Sequence, residues 1–489
     1  MREASRLPGG STGEQTLTTT AANQTTARDN GVRALLLTSD TAATRYLFAA
    51  AAWLAIGSLT WLAAMLAMRF PGLLPLTFGR LRPMAMIALG LGWLVLGLGA
   101  AIFYLLPRLT GAPLALEKQL NRALPLLILI VAAAMAIVGL GLGDGREPFA
   151  LPWWLDLPVL GLTALALGPT MLTLSKRQEG MVYPSLWFAL VGALWLPVLY
   201  LAGNLPRLSA LGIALSDALF SAGFLNVWAV GVATGAAYYV VPKVSGQPLA
   251  NRQLARVGFW SLAFGAVWMG VSQFAAGPQP EWLGGIAGVL GLALPVAGLA
   301  NTTNLAMTIG QKWPAIGAQP VLKAALAGSS LVTLGSLLAA LAGFRSASVL
   351  VGLTLFWEGV WVLILSGVAL LFGAFAWQAV PNLVGRSVDR STHQVVKRLS
   401  IGGVGTGLLL VLAGYTSGVA WSGAGFSGAF ETTGAGWSAG VGLAGIFSGL
   451  ALAVFVYLTW GMIGLALTIY RALTSGKATV QEVLVVKQT

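Results

Sequence analysis

The sequence contains no cysteine and a single histidine, His393, among its 489 residues. Without cysteine the chain can form no disulfide, no thiolate metal site and no thioether link to a haem. A site built from several imidazoles is excluded as well. Charge is also scarce, because Asp, Glu, Lys and Arg make up 9% of the residues while 57% are hydrophobic. A soluble domain does not have this composition, so the sequence predicts an integral membrane protein.

Twelve apolar runs approach or exceed the roughly 18 to 20 residues that a helix needs to cross a bilayer. They are centred on 46–68, 84–106, 122–142, 156–175, 183–203, 218–241, 255–276, 284–307, 326–343, 352–380, 400–420 and 440–470. We therefore expect an all-α integral membrane protein, with a twelve-helix transmembrane domain over 45–471. Residues 1–44 lack the apolar core of a signal peptide and are expected to form a flexible cytoplasmic N-terminal tail. A cytoplasmic C-terminal tail is expected over 472–489.

The distribution of positive charge predicts the orientation in the membrane, because loops rich in Lys and Arg stay in the cytoplasm. With the N-terminus inside, only six of the 28 Lys and Arg fall in outer loops. These six are Arg69, Arg80, Arg82, Arg146, Arg207 and Arg345. Both termini are therefore expected in the cytoplasm, in a multi-pass protein of the cytoplasmic membrane. The basic residues are dispersed among short loops, so the net charge of +13 reflects topology and anionic lipid, with no nucleic-acid partner expected.

One motif occurs three times. Residues 103–114, which begin Phe-Tyr-Leu-Leu-Pro-Arg-Leu-Thr-Gly, match 238–249, and 377–386 form a weaker third copy. Aromatic residues suit the membrane interface, proline stops the helix, and glycine permits the turn that follows. The copies are four predicted helices apart, which divides the twelve helices into three pseudo-repeats of four.

The threefold repeat over twelve helices resembles subunit I of the haem-copper oxidases. The sequence Gly79-Arg80-Leu81-Arg82-Pro83 and the Phe-Tyr-x-x-Pro-Arg-Leu-Thr-Gly motif are most similar to the cbb-type (C-family) cytochrome c oxidases and the related nitric oxide reductases. The resemblance covers about residues 45–470. It implies a respiratory-chain protein whose relatives hold haem b and copper through six histidines and reduce dioxygen.

None of the six histidines that the resemblance implies is present. Counting from local anchors, the ligand positions are occupied by Ala85, Ala222, Ser272, Gln273, Gly359 and Trp361. A family tyrosine that is cross-linked to a copper ligand falls at Ala266. We therefore predict degenerate ligand positions, no metal site, no catalytic residue and no cofactor on this chain.

The other possible donors are few. His393 is expected in a loop among basic residues, where a solvated side chain is favoured over a ligand. Met84 and Met86 flank Ala85 and could ligate haem through sulfur, although packing is favoured. Five tryptophans are expected near the lost cofactors, where indoles either fill the vacated volume or anchor the helices at the interface. They are Trp228, Trp260, Trp268, Trp357 and Trp361.

Glu358 is the clearest charge within a predicted span. It is a candidate ion or proton site, with Ser272 and Gln273 as possible companions. The alternative is a carboxylate near the outer surface that is solvated or paired with an arginine such as Arg82. Asp217, Asn226, Asn301 and Asn304 are interpreted as helix caps and interhelical hydrogen bonds.

Three functions remain open. The first is a non-catalytic structural or accessory subunit that binds other respiratory-complex subunits within the lipid bilayer. The second is a proton or ion transporter that reuses the emptied bundle through Glu358. The third is an active terminal oxidase or nitric oxide reductase subunit, for which this chain alone lacks the imidazoles that iron and copper require.

Overall fold

The computed structural model describes residues 40–204, 209–274, 277, 279–352, 354–385, 391–426 and 435–474. Most of the two predicted tails lies outside these residues. The first helix begins at Thr41, within the segment predicted as the N-terminal tail. Helices form all the regular secondary structure of the described part, as the composition predicts.

Eleven helices are long and apolar enough to span a membrane among the residues described. In chain order they are α1 (Thr41–Arg69), α2 (Phe78–Thr110), α3 (Glu117–Gly139), α4 (Trp153–Ser175), α5 (Pro184–Asn204), α6 (Ala210–Ser245), α7 (Glu281–Ile309), α8 (Pro320–Ala342), α9 (Phe356–Val384), α10 (Thr392–Ser422) and α11 (Ala439–Thr474). Their bounds agree with eleven of the twelve predicted apolar runs.

The remaining predicted span, at 255–276, is a broken helix. It consists of Arg252–Gly265 and Trp268–Ser272. At the break the Gly270 N–H donates to the Val267 carbonyl, an i to i+3 bond of 3.3 Å that belongs to a tight turn. Gly265 ends the first segment and Gly270 lies in the second, and both are weak helix formers. Hydrophobicity alone could not predict the break.

The three copies of the repeated motif adopt the same conformation. Each helix ends at a left-handed glycine four residues after its proline, and φ is 68° at Gly111, 66° at Gly246 and 73° at Gly385. Two of these turns are closed by a glycine N–H that donates to the proline carbonyl, over 3.1 Å at Pro107 and 2.8 Å at Pro381. The predicted threefold repeat is therefore confirmed, and this side of the bundle is called the proline end.

The motif-bearing helices α2, α6 and α9 lie at the centre of the bundle. The most apolar window of α2 is entirely buried and that of α9 is 94% buried. Both α2 and α6 contain a π-helical segment, Ala88–Val95 and Phe224–Val230, and each segment ends twelve residues before the repeated proline. No π segment is described in α9, so the first two repeats are more alike than the third.

The first described residue, Asp40, forms an ion pair with Arg108 at the proline end. Arg108 binds Asp40 through both guanidinium nitrogens, at 2.8 and 2.9 Å, and its guanidinium carbon lies 3.6 Å from the centre of the Tyr104 ring. Both charged side chains are nearly buried. The N-terminus of α1 is thereby fixed to the repeated motif of α2.

Candidate functional site

A cleft of about 850 Å³ opens at the other side of the bundle, among the ends of α1, α2, α6, α9 and α10 and the broken helix. Its lining contains both charged side chains and aromatic rings. The charged residues are Arg82, Glu147, Asp217 and Glu358; the aromatic residues are Phe78, Phe274, Trp357, Trp361 and Trp421. We call this space the charged cleft and this side of the bundle the carboxylate end.

Arg82 forms ion pairs with two of the carboxylates that line the cleft. Its Nη1 lies 2.5 Å from Glu147 Oε1, and its Nε lies 2.8 Å from Glu358 Oε1. The Glu358 side chain is 11% exposed and that of Glu147 is 58% exposed, so the guanidinium joins a nearly buried carboxylate to one open to the solvent. The structure therefore contains the arginine partner that the second interpretation of Glu358 expects.

A second ion pair, between Arg146 and Asp217, lies at the edge of the cleft. Arg146 donates from Nη2 and Nε to Asp217 Oδ1, over 3.0 and 3.3 Å, and also to the carbonyl of Gly203. Asp217 was interpreted as a cap or an interhelical hydrogen-bonding residue; its side chain forms an ion pair between α6 and the loop after α3. The sequence contained a signal for this loop, since Asp144, Arg146 and Glu147 interrupt two long apolar runs.

Several predicted site residues meet at this cleft. Gln273, Glu358 and Trp361 line it, and Ser221, which precedes Ala222, lines it as well. Ala222 is buried in α6.

The other predicted positions are filled by packing. Ala85 and Ala266 are completely buried. A Cβ atom on Gly359 would lie 2.5 Å from the Gly407 carbonyl oxygen and 2.8 Å from the Val411 nitrogen, which are backbone atoms of α10. Real Cβ atoms do not approach so closely, and the Gly359 position therefore has no room for a longer side chain.

Ser272 and Gln273 form no hydrogen bond with Glu358 in the described part. The Ser272 hydroxyl donates to the Met269 carbonyl over 2.8 Å, within its own helix. The Gln273 carbonyl accepts from the Ser348 hydroxyl over 3.3 Å, while its side chain faces the cleft. Gln273 and Glu358 therefore line the same cleft, whereas Ser272 does not line it.

The five tryptophans have different environments, and Trp268 in the broken helix is partly buried. Trp228 and Trp357 are buried, and Trp361 is partly buried between the charged cleft and a small apolar cavity of about 10 Å³. Trp260 is 55% exposed on the surface of the bundle, so it fills no interior volume. For Trp260 the filling hypothesis is wrong; Trp228 and Trp357 pack in the core as that hypothesis expects.

The remaining candidate donors lie apart from one another. His393 is exposed in the first turn of α10, just beyond the proline end, where a loop had been predicted. Met86 is buried in α2, and Met84 is partly buried.

The buried asparagines form interhelical hydrogen bonds, as predicted. Asn301 Oδ1 accepts from the Tyr238 hydroxyl over 2.8 Å, and Asn304 Nδ2 donates to the Asn251 carbonyl over 2.7 Å. Asn226 donates to the Ala222 carbonyl and to Met269 Sδ, over 3.0 and 3.4 Å. These bonds join α6, α7 and the broken helix.

Comparisons with known proteins agree on one family. The family model described as cytochrome c and quinol oxidase polypeptide I matches residues 41–443. Cytochrome c oxidase subunit 1 of Rhodobacter capsulatus is 27% identical over 271 residues, which are 51% of this chain and 49% of the relative. The chain thus matches about half the length of that curated relative.

A cryo-EM structure of a heme-copper terminal oxidase dimer has the same fold. It superposes with a TM-score of 0.69 at 12% identity, over 90% of this chain and 85% of that one. At this identity the likeness concerns the arrangement of helices.

Proposed function

We propose that this chain, which belongs to the cytochrome c and quinol oxidase polypeptide I family of haem-copper oxidases, is a member that has lost its haem and copper ligands. It serves as a non-catalytic structural or accessory subunit of a respiratory complex. Its kinship is to the cbb-type branch, on the resemblance of the Gly79–Pro83 segment and the repeated motif. Members of this family work in multisubunit oxidase complexes of the bacterial cytoplasmic membrane.

The observation that carries the proposal is the donor set at the expected ligand positions. Haem iron is held in proteins by histidine, cysteine, methionine or tyrosine, and copper sites of this type require imidazoles. The six positions offer the side chains of two alanines, one glycine, one serine, one glutamine and one tryptophan. These residues do not fit either metal, and Ala266 offers no phenol.

The packing around these positions supports the same proposal. Ala85, Ala222 and Ala266 are no more than 1% exposed, and a Cβ on Gly359 would contact the backbone of α10. The cavity between Trp361 and Met86 measures about 10 Å³. Ligand pockets for molecules far smaller than haem occupy roughly 300 Å³ or more. The interior between α2, α6 and α9 therefore favours packing over cofactor binding.

Two described spaces near these positions exceed this size, the charged cleft of about 850 Å³ and an apolar cavity of about 870 Å³ that adjoins it. Arg82 and Arg146 have carboxylate partners supplied by the protein itself. Transport through Glu358 remains an alternative proposal, which the Arg82 ion pair does not favour. Both termini are proposed to be cytoplasmic on the distribution of Lys and Arg.

A pyridine haemochrome spectrum with iron and copper analysis tests the proposal on the purified full-length chain. We expect less than stoichiometric haem, iron and copper, at the level of a mock purification. Stoichiometric haem would contradict the proposal and point to Met84 or Met86, and the variants Met84→Leu and Met86→Leu would identify which sulfur is the donor.

Pull-down from solubilised membranes tests the accessory role. A structural subunit of a respiratory complex should bring haem-bearing partners with it under mild detergent. Isolation of the chain without any haem-bearing partner, together with Glu358-dependent proton flux in liposomes, would favour the transporter instead.

A further inference from the structure

We propose that the charged cleft and the apolar cavity beside it form one binding site for an amphiphile with an ammonium head group. The head group lies against Glu147 and Glu358, and the apolar chain lies between the broken helix and the segment before α9. This site is independent of any haem or copper.

Two adjoining cavities give the site its amphiphilic shape. The second cavity measures about 870 Å³ and shares Ala210, Ala214, Gln273 and Phe274 with the charged cleft. Its own walls include Leu211, Val349 and Leu350 and carry no charged side chain among the residues described. A molecule with one polar end and one apolar chain matches this division.

The charge of the cleft selects a cation. Three carboxylates, those of Glu147, Asp217 and Glu358, face two guanidinium groups, those of Arg82 and Arg146. One negative charge is therefore left over. Glu358 accepts a single hydrogen bond from the described residues, at Oε1, although a carboxylate can accept about four. An ammonium donor would satisfy the second oxygen of a side chain that is largely removed from water.

Aromatic rings in the lining of the charged cleft fit the same ligand. Trp357, Trp361 and Phe274 line the charged cleft, and ring faces attract ammonium groups more strongly when these are desolvated. A metal ion fits less well, because no three Asp, Glu, His or Cys side chains in the described part of the chain are close enough to hold one. An anionic head group would meet the carboxylate excess.

An engineered cysteine can report on occupancy, since the natural chain has none. Ser417 lines the charged cleft, and Ser417→Cys provides one thiol there. We would measure the rate of its reaction with a neutral maleimide in dodecyl maltoside, with dodecylammonium or dodecyl sulfate added. The matched control is Ser346→Cys, an exposed position near the same end that does not line either cavity.

Dodecylammonium is expected to slow the reaction of Ser417→Cys by about tenfold at saturation, while dodecyl sulfate has no effect and Ser346→Cys is unchanged. The double variant Glu358→Gln with Glu147→Gln should raise the dodecylammonium concentration for half-maximal protection by about a hundredfold, because two hydrogen bonds to charged acceptors are lost. Glu281→Gln, outside the cleft, should leave that concentration unchanged.

Nanodiscs distinguish the two sources of such a head group. If Ser417→Cys reacts with the maleimide more slowly in phosphatidylethanolamine discs than in phosphatidylglycerol discs, the ligand is a membrane lipid. Protection by dodecylammonium alone would identify a free amphiphilic amine. Equal protection by dodecylammonium and dodecyl sulfate, no protection by either, or protection that persists in the Glu→Gln variants would each overturn the proposal.

Discussion

The two ends of the bundle are built on different principles. At the proline end one arrangement occurs three times, a proline followed four residues later by a left-handed glycine, and the Asp40–Arg108 ion pair is nearly buried beside the first copy. At the carboxylate end no such repetition is described; a broken helix and a cleft of about 850 Å³ are found instead. The comparison teaches that one end of this fold is held by a repeated backbone motif, while the other depends on ion pairs between side chains of different helices and loops.

The largest expected effect concerns the proline-end ion pair. Asp40→Asn should lower the free energy of unfolding by about 3–5 kcal/mol, because Arg108 would remain buried without a counter-charge. The measurement is the midpoint of thermal unfolding in detergent, followed by tryptophan fluorescence. The double variant Asp40→Asn with Arg108→Gln leaves no unpaired charge and should recover part of the loss; no recovery would show that the pair acts by shape and not by charge.

At the carboxylate end, Arg82→Gln should have a smaller effect of about 2 kcal/mol. The Arg82 side chain is 25% exposed at an open cleft, so water can solvate the Glu358 carboxylate that is left. The same unfolding measurement checks this, with Arg82→Gln combined with Glu358→Gln as the control. If Arg82→Gln destabilised the protein more than Asp40→Asn, the cleft would be as closed as the proline end.

These differences mark what the sequence could and could not predict. Eleven of the twelve predicted helices, the threefold repeat and the terminating glycines follow from local signals, namely hydrophobic length, Pro and Gly, and the structure contains them; the helix predicted at 255–276 is broken. Within the site the Arg82–Glu358 pair was one of two interpretations. The Arg146–Asp217 pair, the hydroxyl bond of Ser272 within its own helix and the exposure of Trp260 depend on how helices rotate and pack. No local sequence pattern predicts how a helix is rotated about its axis.

Gly359→Ala tests whether the expected ligand position in α9 is closed. The new methyl group would press against the Gly407 carbonyl oxygen and the Val411 nitrogen, and we expect a loss of about 1–3 kcal/mol. Folded yield and thermal midpoint, measured by size-exclusion chromatography after heating, are suitable readouts. Gly445→Ala is the matched control, since its Cβ would have no neighbour within 4 Å. Equal behaviour of the two variants would mean that α9 and α10 have room between them.

The terminating glycines should contribute to stability only through their backbone conformation. Gly246 has a φ of 66° and open space around its Cβ position. Gly246→Ala should therefore cost about 1–2 kcal/mol, the penalty of a side chain in the left-handed region. Thermal unfolding of Gly246→Ala against Gly445→Ala isolates this strain, because neither methyl group meets a neighbour. A neutral Gly246→Ala would remove the backbone explanation for the repeated motif.

The smallest effect belongs to the exposed ion pair at the carboxylate end. Arg345 Nη1 lies 2.6 Å from Glu281 Oε1, a distance as short as those around Arg82, but the two side chains are 71% and 82% exposed. Solvent screens this attraction, so Arg345→Gln should change the free energy of unfolding by only about 0–1 kcal/mol, less still in high salt. Thermal unfolding at low and high salt measures it against Arg82→Gln. A salt-insensitive loss as large as that of Arg82→Gln would show that distance, and not burial, decides the strength of ion pairs at this end.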